Sequence, residues 1–151
     1  MSDVFFTNIE DDTIKNKNFR HVINTSCNMQ LVLMSLKPKE EIGLEVHDTI
    51  DQFFRVEKGI GLAIVENKEN KTKEKIKLTD GSIIVIPKGI YHNIINTSNS
   101  EELKLYSIYS PPNHKKGHID KNKPKIDQDG GSYNYYNKYM KYKNKYLELK
   151  N

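Results

Sequence analysis

Few side chains here could do more than pack or face water. Of the five histidines, His92 is the most conspicuous. It lies in GSIIVIPKGIYHNIIN, residues 81–96, an otherwise apolar stretch that turns at Pro87 and Gly89. An imidazole titrates near neutral pH and is a common metal ligand. His92 therefore has two readings, a buried, hydrogen-bonded structural ring or a ring that holds something. His114 and His118 flank Lys115-Lys116-Gly117 in a polar segment. They read as exposed loop histidines, or as part of a loop that covers a cavity after the last strand. His21 follows Arg20 and reads as structural. Cys27, the single cysteine, sits in the polar turn Asn24–Asn28. It excludes an intrachain disulfide, which suits a reducing compartment, and nothing around it suggests a nucleophile.

Short strands must position these groups. Met29–Leu36 is strand-like and stops at Lys37-Pro38. Gly43–His47 is a short extended piece. Gln52–Glu57, Ile60–Glu66, Glu74–Leu78, Ser82–Ile86, His92–Asn96 and Leu103–Tyr109 follow, separated by turn residues such as Asp80-Gly81. No convincing helix interrupts them, so the fold class is all-β, a sandwich or barrel. Asp3–Phe6 and Phe19–Asn24 each read as an added edge strand. Pro111–Gly131 reads as loop. If Gln52 faces inward, Arg55 faces outward and pairs at the surface. Phe54, Val56, Ile84, Ile86, Ile94 and Tyr106 read as interior filling, while the direction of Tyr91 stays open.

With 151 residues the chain has room for one domain with a sizeable core. The expected organisation is an N-terminal extension over 1–28, a barrel over 29–119, a linker over 120–132 and a tail over 133–151. The formal net charge is +4. Residues 133–151 carry five lysines against Glu148, which accounts for all of it, so the body is near neutral. A neutral body argues against nucleic-acid binding by the barrel. No apolar run nears the ~20 residues of a spanning helix, and the N-terminus lacks a signal-peptide pattern. The expected location is therefore the cytoplasm. In the tail, Tyr135, Tyr139, Tyr142, Tyr146 and Leu149 recur at helical spacing. They define an amphipathic C-terminal helix behind a Gly130-Gly131 hinge, docked on its own domain or on a protein partner. Deleting the tail is expected to leave barrel stability unchanged.

Gly81, Pro87, Gly89, His92 and Asn96 match every defined position of G-x5-P-x-G-x2-H-x3-N. In this the chain resembles the cupin superfamily, whose second signature this is. The first signature, G-x5-H-x-H-x3–4-E-x6-G, matches in part. Gly59 takes the final glycine, Gln52 stands at the glutamate position, His47 at the second histidine and Glu45 at the first, and Lys39 replaces the opening glycine. The resemblance spans about residues 30–109 and implies a double-stranded β-helix, or jelly-roll barrel. The stretches QLVLMSLKP, DQFFRVEKG and LKLYSIYSPPNH look like small single-domain bacterial cupins. The Tyr/Lys-rich tail resembles terminal segments in large DNA viruses of amoebae, which would place the protein in host cytoplasm or virion.

The resemblance implies a metal held by Glu45, His47, Gln52 and His92. The substitutions keep the family's ligand charge, with one carboxylate, two imidazoles and one neutral oxygen. Such a set suits Fe, Mn, Ni, Co or Zn as a divalent ion. The alternative is a metal-free polar cluster, with Glu45 protonated or turned outward. Gln52 could equally hydrogen-bond a ligand residue or contact substrate. A metal-dependent dioxygenase or isomerase acting on a small organic molecule is one expectation. Only two arginines, Arg20 and Arg55, are present, which disfavours a phosphate clamp. A non-catalytic ligand-binding module, or a dimerisation scaffold whose C-terminal helix docks to a partner, is the other. In either case the barrel is expected to be a homodimer through its sheet edges.

Overall fold

The computed structural model describes residues 4–125. The amphipathic helix expected over 133–151, and its hinge, lie outside them. Among the described residues, nine strands and one short helix follow in order. They are α1 (Ile9–Lys15), β1 (Arg20–Thr25), β2 (Gln30–Leu36), β3 (Asp51–Lys58), β4 (Gly61–Asn67), β5 (Thr72–Leu78), β6 (Ile83–Ile86), β7 (Tyr91–Asn96), β8 (Leu103–Ser110) and β9 (Ile119–Asp120). They form a six-stranded sheet ordered β6-β3-β8-β2-β1-β9 and a three-stranded sheet ordered β5-β4-β7. From β3 to β8 the chain passes back and forth between the sheets, so each is built from strands distant in sequence. All pairings are antiparallel.

The expected all-β reading is met by these sheets. Period-two alternation sends Val32, Met34 and Leu36 of β2, Phe54 and Val56 of β3, and Leu103 and Leu105 of β8 into a shared core. Ala63, Leu78 and Ile94 meet them from the facing sheet. Arg55 does face outward, where its Nε lies 2.7 Å from Glu57 Oε1. Tyr106 departs from expectation. It pairs with outward Arg55 and packs against Phe53, with ring centroids 6.0 Å apart. It therefore lies on the outer face rather than in the interior.

The N-terminal region also departs. Val4–Phe6 form no strand, and Ile9–Lys15 is a helix. Asn8 caps it by accepting the Asp11 N–H at 3.1 Å. Glu10, Asp11 and Asp12 fill its first turn, and Lys15 lies in its last. The helix covers the outer face of the larger sheet, where the buried Lys104 ammonium holds it. Lys104 Nζ donates to the Asn16 carbonyl and to Ser35 Oγ at 2.9 Å, and it pairs with Glu102 Oε2 at 2.9 Å. β1 is not an edge strand, because β9 pairs with it through Arg20–Asp120 and His21–Ile119. The loop expected after Pro111 thus returns to the sheet. Cys27 is exposed. Among the described residues, no helix is long and apolar enough to cross a membrane.

Candidate metal centre

Three backbone devices bring the site together. Asp80-Gly81 turns the chain into β6, with Gly81 at φ +82. After β6, Gly89 at φ +83 makes the corner, and its N–H donates to the His47 carbonyl at 2.7 Å. A side chain is strained in that left-handed region, which explains a glycine in the motif. Residues 41–47, which form no regular strand, then run along β7. Glu45 N–H donates to His92 O at 2.8 Å and His92 N–H to Glu45 O at 2.9 Å. Glu45 and His92 are therefore direct antiparallel partners with side chains on one face. Asn96, the motif's last residue, has a structural task. Its buried Nδ2 donates to the carbonyls of Leu36, Lys37 and Glu101 at 2.8–3.0 Å, fixing the end of β7 to two loops.

The side chains of Glu45, His47 and His92 offer ligand atoms that all lie within 4.8 Å of one another. Glu45 Oε2 stands 3.7 Å from His47 Nε2 and 3.6 Å from His92 Nε2. Donors about 2.0–2.2 Å from a common ion sit roughly this far apart, so the spacing suits a metal. His47 and His92 are buried, and the Glu45 side chain is 12% exposed. Glu45 Oε2 is buried with no hydrogen-bond donor within reach among the described residues. Burial pushes the Glu45 carboxyl up, but the imidazoles of His47 and His92 outweigh it and hold the group below the usual carboxylate range. The Glu45 side chain is thus not turned outward.

Gln52 projects from β3 into the same space. Its Nε2 donates to Ser107 Oγ at 2.9 Å, and its Oε1 lies 3.0 Å from His92 Nε2. The other ring nitrogen, His92 Nδ1, lies 3.1 Å from the Ile90 carbonyl, which can only accept, so the proton belongs on Nδ1. In the neutral ring, two acceptor lone pairs then face each other. A proton on Nε2, a cation between them or a reversed Gln52 amide resolves the conflict. The residues present fit a divalent metal.

Several residues at this end of the barrel carried no sequence signal. Tyr109 of β8 is buried and presents an edge contact to His47, centroids 5.7 Å apart. Gln30 of β2 is fully buried and pairs with Tyr109 across the strands. Its Oε1 accepts the N–H groups of Asn113 and His114 at 3.1 and 2.8 Å, and its Nε2 donates to His114 O at 2.8 Å. His114 is therefore not an exposed loop residue. Its ring packs on Tyr109 at 5.0 Å, and burial lowers its pKa to about 3, aided by the Arg20 charge. His118 is more exposed and pairs with Asp120 Oδ1 at 2.9 Å. Asp120 Oδ2 also pairs with Arg20 at 2.7 Å. The segment after β8 is thus fastened over this end of the fold, the second of the two readings of His114 and His118. His21 borders a surface groove with α1 residues Asp12 and Lys15, away from the centre. Tyr91 points outward, beneath the Lys68 ammonium at 5.3 Å.

Two facing antiparallel sheets with a His/His/Glu cluster at the motif histidine describe a cupin. The chain belongs to that family, for the family described as "Cupin domain" matches residues 32–109. A protein of Acanthamoeba polyphaga mimivirus, described as uncharacterized, is 49% identical over 97% of this chain and 91% of its own length. The uncharacterized protein YrkC of Bacillus subtilis (strain 168) is 43% identical over 79% of this chain, which spans 63% of that protein. A crystal structure from Bacillus halodurans superimposes with a TM-score of 0.75 at 43% identity, covering 79% of this chain and 89% of that one. A viral relative is thus established, as the tail suggested.

Proposed function

We propose that this protein is a metal-binding cupin that holds a divalent transition metal through Glu45, His47 and His92, with Gln52 Oε1 as the neutral fourth donor. One observation carries the reading, namely that two imidazoles and a buried carboxylate oxygen with no hydrogen-bond partner among the described residues offer ligand atoms within 4.8 Å of one another. A buried charge of this kind is costly unless a cation compensates it. When bound, the ion would supply Lewis-acid or redox chemistry to a small organic molecule, as an oxygenase- or isomerase-like activity requires. The chain's own part is to fix the ligands. Ile90 O orients His92, Gly89 N–H ties down the His47 backbone, and Ser107 holds the Gln52 amide.

Elemental analysis of purified full-length protein tests this. Near-stoichiometric Fe, Mn, Ni, Co or Zn, lost in His92→Ala, is the expected result. Absence of metal after reconstitution with each ion would refute the reading.

A further inference from the structure

We infer that the outer face of the larger sheet, centred on β6 and β3, is the surface through which two copies of this chain pair. The inference is independent of the metal reading, and it puts the second copy on a sheet face rather than at a sheet edge.

β6 reads Ile83-Ile84-Val85-Ile86. Ile84 and Ile86 turn inward, for they pair with the buried Phe54 and Gln52. Ile83 and Val85 therefore turn outward, where they are 57% and 59% exposed. A strand solvated on one face alternates apolar and polar residues, whereas a run that is apolar on both faces suits a strand covered on both. The register carries this character across the sheet. Val85 pairs with Phe53, and Phe53 with Ile108. Ile83 pairs with Arg55, and Arg55 with Tyr106. Phe53, Tyr106 and Ile108 are half-buried. Helix α1 is held on the same face at Lys104 and Ser35 and leaves Ile83 and Val85 open to solvent. Aromatic side chains and arginine are the types enriched where proteins meet.

The smaller sheet supplies a contrast within the same molecule. Its edge strand β5 turns Ile76 and Leu78 toward the core and sends Lys73, Lys75 and Lys77 outward, all exposed. Lysines on an edge strand keep it solvated and deter other chains. β6 follows β5 directly and forms an edge of the larger sheet, yet its outward residues carry no such charge.

Charge also selects the occupant. Arg55 is the charged side chain in the paired rows, and Glu57 neutralises it, with Nε and Oε1 2.7 Å apart. The face is thus neutral. So is the body, since residues 133–151 carry the whole net charge. Two such faces meet without repulsion and without stranding a buried charge. A two-fold contact brings the same patch from both copies together, and a neutral apolar patch is complementary to itself. The lysine-rich segment 133–151 matches this face less well, because Glu57 is already paired with Arg55. The described chain also ends beyond β9, at the opposite edge of the sheet from β6.

Sedimentation equilibrium of full-length protein over a concentration series tests the inference. Wild type should sediment as a dimer of the 17.6 kDa chain. Val85→Lys should raise the dimer dissociation constant at least about tenfold, the effect of losing one interface anchor. The double variant Ile83→Thr/Val85→Thr keeps β-branched side chains, and so the strand, and should raise it about tenfold as well. Lys75→Glu on the other sheet, and removal of residues 126–151, should each leave it within about threefold of wild type. Wild type that stays monomeric at every concentration would overturn the inference, as would a dimer unchanged in the double threonine variant. A dimer lost with residues 126–151 but kept in both β6 variants would overturn it too, and would assign association to the tail.

Discussion

Gln52 Oε1 lies 3.0 Å from His92 Nε2, although each is a hydrogen-bond acceptor when His92 is neutral with its proton on Nδ1. The contact makes the state of the centre depend on what lies between those two atoms. Rotating the Gln52 amide by 180° would let its nitrogen donate to His92 and its oxygen accept from the Ser107 hydroxyl. The oxygen-inward amide fits a bound cation and the nitrogen-inward amide fits a neutral, metal-free site. Gln52→Glu tests this balance, because a carboxylate has only acceptors to offer. It should tighten metal binding and, beside Glu45, destabilise the metal-free protein. The gap in Tm between metal-loaded and chelated protein should be wider than in wild type, and an unchanged gap would count against Gln52 as a neighbour of the ion.

Glu45 carries the ligand charge that the family usually draws from the position of Gln52. Glu45→Gln keeps the shape and removes the charge. Metal affinity should fall by at least about 100-fold, the upper range seen even for residues that only support a ligand, as read by competition with a chromophoric chelator. The circular dichroism spectrum should be preserved, since the Glu45–His92 backbone pairing does not need the carboxylate.

His114 gives the stability a pH dependence whose sign follows from burial. Its pKa is about 3 in the folded protein against about 6.5 in the unfolded chain. Between those values the unfolded state binds the extra proton, so stability is intact above pH 6.5 and declines as pH falls toward 3, by up to about 1.4 kcal/mol per pH unit. The depressed Glu45 carboxyl adds a further loss below its ordinary range near 4.5. Urea midpoints of chelated protein from pH 7 to 4 should fall more steeply for wild type than for His114→Gln. Parallel curves would show that His114 is not held neutral by burial.

Lys104 fastens helix α1 to the sheet. Lys104→Met should leave the Asn16 carbonyl and Ser35 hydroxyl buried with a partner removed. A loss of about 1–3 kcal/mol per group left without its partner is the usual scale, measurable by urea denaturation. Metal content should not change, because α1 lies on the outer face, away from the centre.

Gly59 is required by space as well as by backbone angle. At φ +99 a Cβ would lie 2.7 Å from the Glu102 carbonyl oxygen. Gly59→Ala should therefore cost about 1–3 kcal/mol and reduce soluble yield. A neutral effect would mean that the β3–β4 turn can shift away from residue 102.

The strands of the barrel were legible because alternation and turn residues act locally. Gln52–Glu57 and Leu103–Tyr109 differ from β3 and β8 by a residue or so at each end. The motif histidine was legible because Pro87 and Gly89 constrain the backbone wherever they occur. Helix α1 is two turns long, too short for its periodicity to show. Its signal was the cap, Asn8 followed by three acidic residues, which the expectation of edge strands passed over. Tyr106 was misplaced because parity along one strand does not say which face is inner; the pairing with Arg55 does. Gln30 and His114 are 84 positions apart, and their meeting depends on a chain return after β8 that no short-range pattern encodes.

The reciprocal backbone pairing of Glu45 with His92 joins two events that are separate in most metal sites. Each amide is protected by the other residue's carbonyl, so solvent exchange at either requires segment 41–47 to lift from β7. The same lifting withdraws Glu45 from His92. Once corrected for each residue's intrinsic exchange, these two amides should therefore report one opening free energy, and that is the free energy of taking the site apart.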